Sequence, residues 1–172
     1  PDKFAQYVAI VTEASLHYLK NQVKAGAQIL QIFDSWSGLL PENLFEKFVI
    51  EPTAYLVSEL KKDHPDIPVI GFPRGSGTKM QDYADKTGID GLGIDYQTPL
   101  SQAQNLQKTL PVQGNLDPIL LRTGGNAMRQ GVDKILESLG DGPMIFNLGH
   151  GVDKHTDPDH VKELVQHIRH SE

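Results

Sequence analysis

The segment Asn147-Leu148-Gly149-His150-Gly151 puts one imidazole between two glycines, directly after a short apolar run. Glycine lets backbone approach a ligand closely, and an imidazole there can donate a hydrogen bond, accept one, or carry a proton near neutral pH. Asp34-Ser35 follows an earlier apolar run in the same way. Ser35 can donate to a carboxylate, while Asp34 can act as a base or brace its own loop through an Asx turn. Arg74-Gly75-Ser76-Gly77 offers a cation and backbone N–H groups beside a helix start, a combination suited to an anionic group. Asp95-Tyr96 and the set Gln113, Asn115 and Asp117 close two further apolar stretches. Each of these also has a plain structural reading. His150 can bond to a neighbouring loop, and Asp34, Asn115 and Asp117 read by default as turn, cap or loop-bracing residues.

Two sharper chemistries fit less well. Ser35, Asp95 or Asp117, and His150 occur in the order of a hydrolase triad, but neither Ser35 nor Ser37 lies in a G-x-S-x-G elbow. Arg74 takes the position where Ser76 would need a glycine. The histidines toward the end of the chain invite a metal reading. However, His155 and His160 are five apart rather than three or four, and His167 and His170 fall on what reads as an exposed, frayed terminus. The reading is therefore of a site without metal.

Composition narrows the classes further. A net charge of −6 gives no basic footprint for nucleic acid or an anionic membrane. No apolar run approaches the roughly 20 residues of a membrane helix, and the start has no signal-peptide pattern. With no cysteine there is neither disulfide nor thiolate chemistry, which fits a cytoplasmic protein. The chain starts at Pro1 rather than methionine, as a processed protein or an internal segment would.

The elements that must position these residues alternate. Phe4, Val8, Val11, Ser15, Leu19 and Val23 share a helical face that Gly26 ends, and residues 27–33 read as a strand. A helix runs from Pro41 to about Lys62, followed by a strand over 68–72 and a helix over 78–87. Strands at 91–94, 110–114 and 144–148 follow, with a helix capped by Ser101 and shorter helical pieces through Leu139. Thr156 or Asp157 caps a last helix, which has Pro158 in its first turn and Val161, Leu164, Val165 and Ile168 on one face. Five βα units imply an α/β chain with a parallel sheet, either open and doubly wound or part of an eight-stranded barrel. No G-x-G-x-x-G follows the first strand, and polar and glycine residues gather after every strand. That distribution favours the barrel, whose sites lie in those loops.

Taken together, the strand-end segments resemble uroporphyrinogen decarboxylase. The resemblance runs through Ala25-Gly26-Ala27-Gln28 into Phe33-Asp34-Ser35, then Gly71-Phe72-Pro73-Arg74-Gly75 and Gly91-Leu92-Gly93-Ile94-Asp95. Gln113-Gly114-Asn115-Leu116-Asp117-Pro118 and Asn147-Leu148-Gly149-His150-Gly151 are its most specific parts, and Gly-Phe-Pro-Arg-Gly is similar to the bacterial branch. The resemblance covers nearly the whole chain. It implies the C-terminal part, about five βα units, of a (β/α)₈ TIM-type barrel, so that residues 1–172 form a single partial domain. It implies a homodimeric enzyme that uses no cofactor and removes carboxyl groups from the four acetates of uroporphyrinogen to give coproporphyrinogen in heme biosynthesis. By motif position Ser35 and His150 are similar to the family's cleft serine and histidine, which contact substrate carboxylates or assist protonation. Arg74 is a family-pattern loop residue, placed here among the substrate-binding candidates.

The departures carry as much weight. The family's Trp-Met-Arg-Gln-Ala-Gly-Arg signature is absent, and so are its central aspartate and cleft tyrosine. This chain has four arginines, of which only Arg74 follows a strand. A ligand with eight carboxylates needs more cations than that, because unpaired buried charge is costly. The residues thus describe half a site, and the chain alone is expected to be inactive. Its open sheet edges should make it aggregate, self-associate or pair with an N-terminal half, and a well-behaved monomer in light scattering would count against that. The related barrel methyltransferases are the nearest rival, but they typically use a cysteine ligand on zinc that this chain cannot supply. A non-catalytic binding or assembly module is the rival of a different class.

Overall fold

The computed structural model describes residues 2–170, which fall into two compact units dividing between Leu92 and Gly93. The first unit begins with α1 (Asp2–Lys24). Its end is fixed by two bonds, from the Gly26 N–H to Val23 O and from the Ala27 N–H to Gln22 O, with Gly26 at φ +101°. Because Ala27 is spent in that cap, β1 begins at Leu30 and runs to Asp34, three residues later than the apolar run suggests. The expected helix after Pro41 is present as α2 (Glu42–Phe45), a π-helical turn (Glu46–Ile50) and α3 (Glu51–Asp63). Then come β2 (Val69–Pro73), a 3₁₀ turn (Gly77–Lys79), α4 (Met80–Thr87) and β3 (Gly91–Gly93). β1 pairs parallel with β2 over five residues, and β2 pairs parallel with β3 at Ile70–Gly91 and Gly71–Leu92.

The second unit contains α5 (Leu100–Gln107), β4 (Val112–Leu116), α6 (Pro118–Thr123), α7 (Gly125–Leu139), β5 (Met144–Leu148) and α8 (Pro158–His170). Ile94, just past β3, donates its N–H to Gln113 O at 2.8 Å, and β4 pairs parallel with β5 from Val112–Met144 to Leu116–Leu148. Met128, Val132, Ile135 and Leu139 recur at helical spacing and are buried, so α7 is the helix that covers this sheet. Leu164 anchors α8, while Val161 and Val165 stay half exposed.

Two expected features are corrected. Ser101 does not cap α5. Pro99, with φ −59°, sets the entry into that helix and Ser101 lies inside it. The last helix is not frayed at its end, since it stays helical to His170 and His167 Nε2 meets Asp133 Oδ1 of α7 at 2.6 Å. A partner on the neighbouring helix, which spacing cannot reveal, is what holds it. Of the two proposed caps for α8, Asp157 acts, accepting from the Asp159 N–H at 2.9 Å, while Thr156 Oγ1 is buried without a partner among the described residues.

The strands bury unequally. Every residue of β2 and β3 is buried, whereas β1 and β5 keep exposed or half-exposed residues on both faces. Beside β1, the aromatic side chains of Phe4, Tyr7, Phe33, Trp36 and Phe48 line a largely apolar cleft of about 460 Å³. Under β2 the packing is closed, because the Tyr83 side chain lies where one on Gly71 would be, its hydroxyl 2.5 Å and its ring 2.6 Å from the Cβ position. Burial pushes the Tyr83 hydroxyl well above the usual phenol range, and the charge of Asp34 adds to this against a hydrogen bond shared with Thr53. A raised phenol favours the folded state below its unfolded pKa of about 10, and that stability is lost as pH rises beyond it. Tyr83→Phe is expected to flatten the fall in urea-unfolding stability above about pH 10, and Tyr83→Ala to cost about 3–5 kcal/mol at neutral pH. An unchanged alkaline slope in Tyr83→Phe would contradict this assignment.

Candidate active site

Ser35, Arg74, Asp95, Asp117 and His150 lie where a strand hands over to its loop, Gln113 lies within β4, and in each unit the loops are tied at the backbone. In the first unit the Arg74 N–H donates to Asp34 O at 3.0 Å, and Gly38 N–H donates to Arg74 O at 3.1 Å. Ser37 Oγ, buried, lies 3.2 Å from both Asp34 O and Arg74 O. A Cβ on Gly38 would stand 2.2 Å from Gly75 O, so these two loops touch at a place where only glycine fits. Asp34 takes its structural role, with Oδ1 accepting from the Trp36 N–H at 3.1 Å in an Asx turn.

Ser35 is half-buried at this junction. Arg74 sits beside it, with Nη1 3.4 Å from Ser35 O, so the structure does bring these two candidates together. The anion cradle expected of residues 74–77 is less open than the sequence suggests. The Arg74 N–H is used by Asp34 and the Ser76 N–H by Pro73 O, leaving the guanidinium as the main anion-seeking group. Lys79 was missed by sequence reasoning. Its Nζ reaches Leu40 O at 2.6 Å and Gly38 O at 3.3 Å, and lies 4.8 Å from the centre of the Phe45 ring. A lysine at the start of a helix has no pattern that foretells two loop carbonyls.

In the second unit His150 is exposed, and Gly149 before it is buried. The Gly149 N–H donates to Leu116 O at 2.8 Å, which extends the β4–β5 ladder by one bond and directs the chain outward at His150. Asp95, expected to line the site, instead turns inward at 2 % exposure. Its Oδ1 accepts from the Gln97 N–H at 2.9 Å and the Thr98 hydroxyl at 3.2 Å, so it closes its own turn. Its neighbour Tyr96 is partly exposed, 37 %. Asn115 and Asp117 brace as expected: Asp117 caps α6 through the Ile119 N–H at 2.9 Å, and buried Asn115 bridges two carbonyls of the 95–98 turn.

The loop that continues from His150 is fastened to α6, and α6 is in turn joined to α8. Arg122 Nη1 lies 3.6 Å from Asp153 Oδ1, and His160 Nδ1 lies 3.1 Å from Leu121 O. Arg129 pairs with Glu163. Two of the three arginines of this unit are therefore bound to carboxylates of the chain itself. Among the described residues no group of three or more histidine or acidic side chains is arranged to hold a metal, and no helix is long and apolar enough to cross a membrane.

Parallel strands alternating with helices, with polar residues and tight glycines at the strand ends, define an α/β chain of the kind that makes part of a (β/α)₈ barrel. Solved structures agree on the fold. A methyltransferase from Methanosarcina mazei superposes with a TM-score of 0.82 at 22 % identity, covering 99 % of this chain and 50 % of that one. A putative vitamin-B12 independent methionine synthase from Listeria monocytogenes gives 0.67 at 17 %, covering 99 % and 57 %. At such identities the likeness is one of fold alone.

The sequence comparisons are more specific. The family described as uroporphyrinogen decarboxylase (URO-D) matches residues 1–171, and the chain belongs to that family. Uroporphyrinogen decarboxylases from Mesorhizobium japonicum, Agrobacterium fabrum and Rhodospirillum rubrum are 47 %, 46 % and 45 % identical, each over 98 % of this chain. The chain spans about half the length of these curated relatives, 49 % in each case.

The Lys79 clamp has a direct consequence. Lys79→Met keeps the stem and removes the charge-assisted bonds, and is expected to lower stability by about 1–2 kcal/mol. Hydrogen exchange should quicken at Leu39 and Leu40, whose N–H groups bond within the loop. Unaltered exchange there would show that the clamp does not hold the loop.

Proposed function

We propose that this chain contributes the C-terminal part of a uroporphyrinogen decarboxylase, a carboxy-lyase that turns the four acetates of uroporphyrinogen into methyl groups with loss of CO₂. The observation that carries the reading is the family match over residues 1–171 together with the exposed His150 and the Ser35–Arg74 junction at strand ends. The reaction needs little from the protein in the way of redox or covalent chemistry. Protonation of a pyrrole carbon makes a cationic ring that accepts the electron pair of the breaking C–C bond as CO₂ leaves. The exocyclic carbon then takes up a proton and the ring carbon gives back the one it gained, which restores the pyrrole and completes the methyl group, so the substrate serves as its own electron sink.

The protein's tasks are to bind carboxylates and to place protons. His150 carries an imidazole that can donate to a substrate carboxylate or deliver a proton. The Ser35 hydroxyl can donate to a carboxylate, and Arg74 beside it supplies the positive charge. Arg122 and Arg129 are held by Asp153 and Glu163, whereas Arg74 follows a strand and reaches a candidate site residue. A ligand with eight carboxylates calls for additional cations, and the relatives have about as much chain again in which to carry them. We therefore read the chain alone as inactive and the working enzyme as a cytoplasmic homodimer of full length, without nucleic-acid or membrane partners.

Variants test these roles in a protein extended to the relatives' length. His150→Ala and Ser35→Ala are each expected to lower kcat/KM for uroporphyrinogen by about 10²-fold or more, the usual scale for a lost proton donor or charged-group contact. Anaerobic turnover followed by chromatography of the products measures this. Wild-type rates in both variants would remove these residues from the site.

A further inference from the structure

We propose that Asn115 is a positioning residue that sets where His150 stands, acting through Gly149. The proposal rests on the reading of His150 as a substrate-facing residue. Asn115 is 7 % exposed at the end of β4, and both hydrogens of its amide are used. Nδ2 lies 3.0 Å from Asp95 O and 3.0 Å from Thr98 O, so one side chain spans the turn after β3. The carboxylate of Asp95 closes the same turn from within, through the Gln97 N–H and the Thr98 hydroxyl. The result is a short segment of backbone, residues 95–98, fixed against β4.

That segment is the wall on which the next loop rests. A Cβ added to Gly149 would stand 2.1 Å from Tyr96 N and 2.7 Å from Asp95 C, distances no real side chain tolerates. Gly149 is therefore pressed against the backbone that Asn115 holds. Its remaining freedom is removed by the bond from its own N–H to Leu116 O, the residue following Asn115. His150 is the next residue along. Its Cα can move only as far as Gly149 allows, and Gly149 is confined on one side by the Asn115-held turn and on the other by β4. Through the backbone that it holds, the Asn115 side chain thus sets the direction in which the imidazole leaves the loop.

If Asn115 acts through His150, its loss costs nothing further once the imidazole is gone. Asn115→Ser, which keeps one short donor, and Gly149→Ala, which leaves the Asn115 bonds in place but crowds Tyr96, perturb the same linkage from opposite ends. Two readouts decide the matter. The first needs no substrate: amide hydrogen exchange of the folded chain. Asn115→Ser and Gly149→Ala are expected to accelerate exchange of the Gly149 N–H about tenfold or more while the Val132 and Ile135 amides of α7 keep their protection. The second is a double-mutant cycle for uroporphyrinogen turnover in the extended protein. Asn115→Ser should lower kcat/KM in the wild-type background and leave it unchanged in His150→Ala.

Unchanged exchange at Gly149 in Asn115→Ser, or acceleration spread evenly across the unit, would overturn the proposal whatever the activity. Additive losses in the cycle would also overturn it, since they would mean that Asn115 acts independently of His150. Absence of decarboxylation by the unsubstituted extended protein would defeat the functional reading instead, and the exchange experiment would still show whether Asn115 holds the Gly149–His150 segment.

Discussion

A parallel strand that ends in a loop leaves carbonyl oxygens aimed away from the ladder, and the rest of this structure depends on how those oxygens are satisfied. In the second unit Asn115 spans two of them, Asp95 O and Thr98 O. In the first unit Lys79 reaches Gly38 O and Leu40 O, and Ser37 shares Asp34 O and Arg74 O. Each of these donors is a side chain that reaches a carbonyl of another βα unit, Ser37 reaching one of its own as well. With the carbonyls bridged, loops pack backbone to backbone, and glycine becomes obligatory where they touch, at Gly38 and Gly149. The candidate site residues Ser35, Arg74 and His150 are carried on these fixed loops. Their positions are thereby set by backbone geometry and not by the flexibility of long side chains.

Rigid loops suit the proposed chemistry. A substrate that is its own electron sink asks the protein for anion binding and for proton delivery at defined points, and both depend on donors held in place before the substrate arrives. The chain's own carboxylates take up Arg122 and Arg129, whereas Arg74 lies beside Ser35 in the first unit. Family membership with coverage of about half the relatives' length fits a chain that holds well-made loops but, of its four arginines, only Arg74 following a strand.

Much of this was legible in the sequence because the signals are local. Alternating apolar runs and amphipathic stretches gave five strands in order, with residues 144–148 matching the fifth strand end to end. The glycines around His150 and the order of the strand-end segments pointed to the family. What was not legible depends on partners distant along the chain. Asp95 reads as a polar residue at a strand end, and only the fold turns it inward toward Thr98. Lys79 reads as a solvated lysine, and only the loop 39 residues before it makes it a clamp. His167 reads as a residue of an exposed tail until Asp133 of α7 is placed opposite it. Ser101 has the chemistry of a cap, but Pro99 had already fixed the helix entry.

The central claim is that these loops are one part of a decarboxylase site that needs further cations to work. The most direct test mixes this chain with a separately expressed N-terminal half from one of its relatives and follows uroporphyrinogen under anaerobic conditions, counting carboxyl groups in the products. Coproporphyrinogen formed by the mixture, and by neither half alone, is the result the account predicts. Turnover by this chain alone would contradict it, because the loops described here would then suffice without added charge.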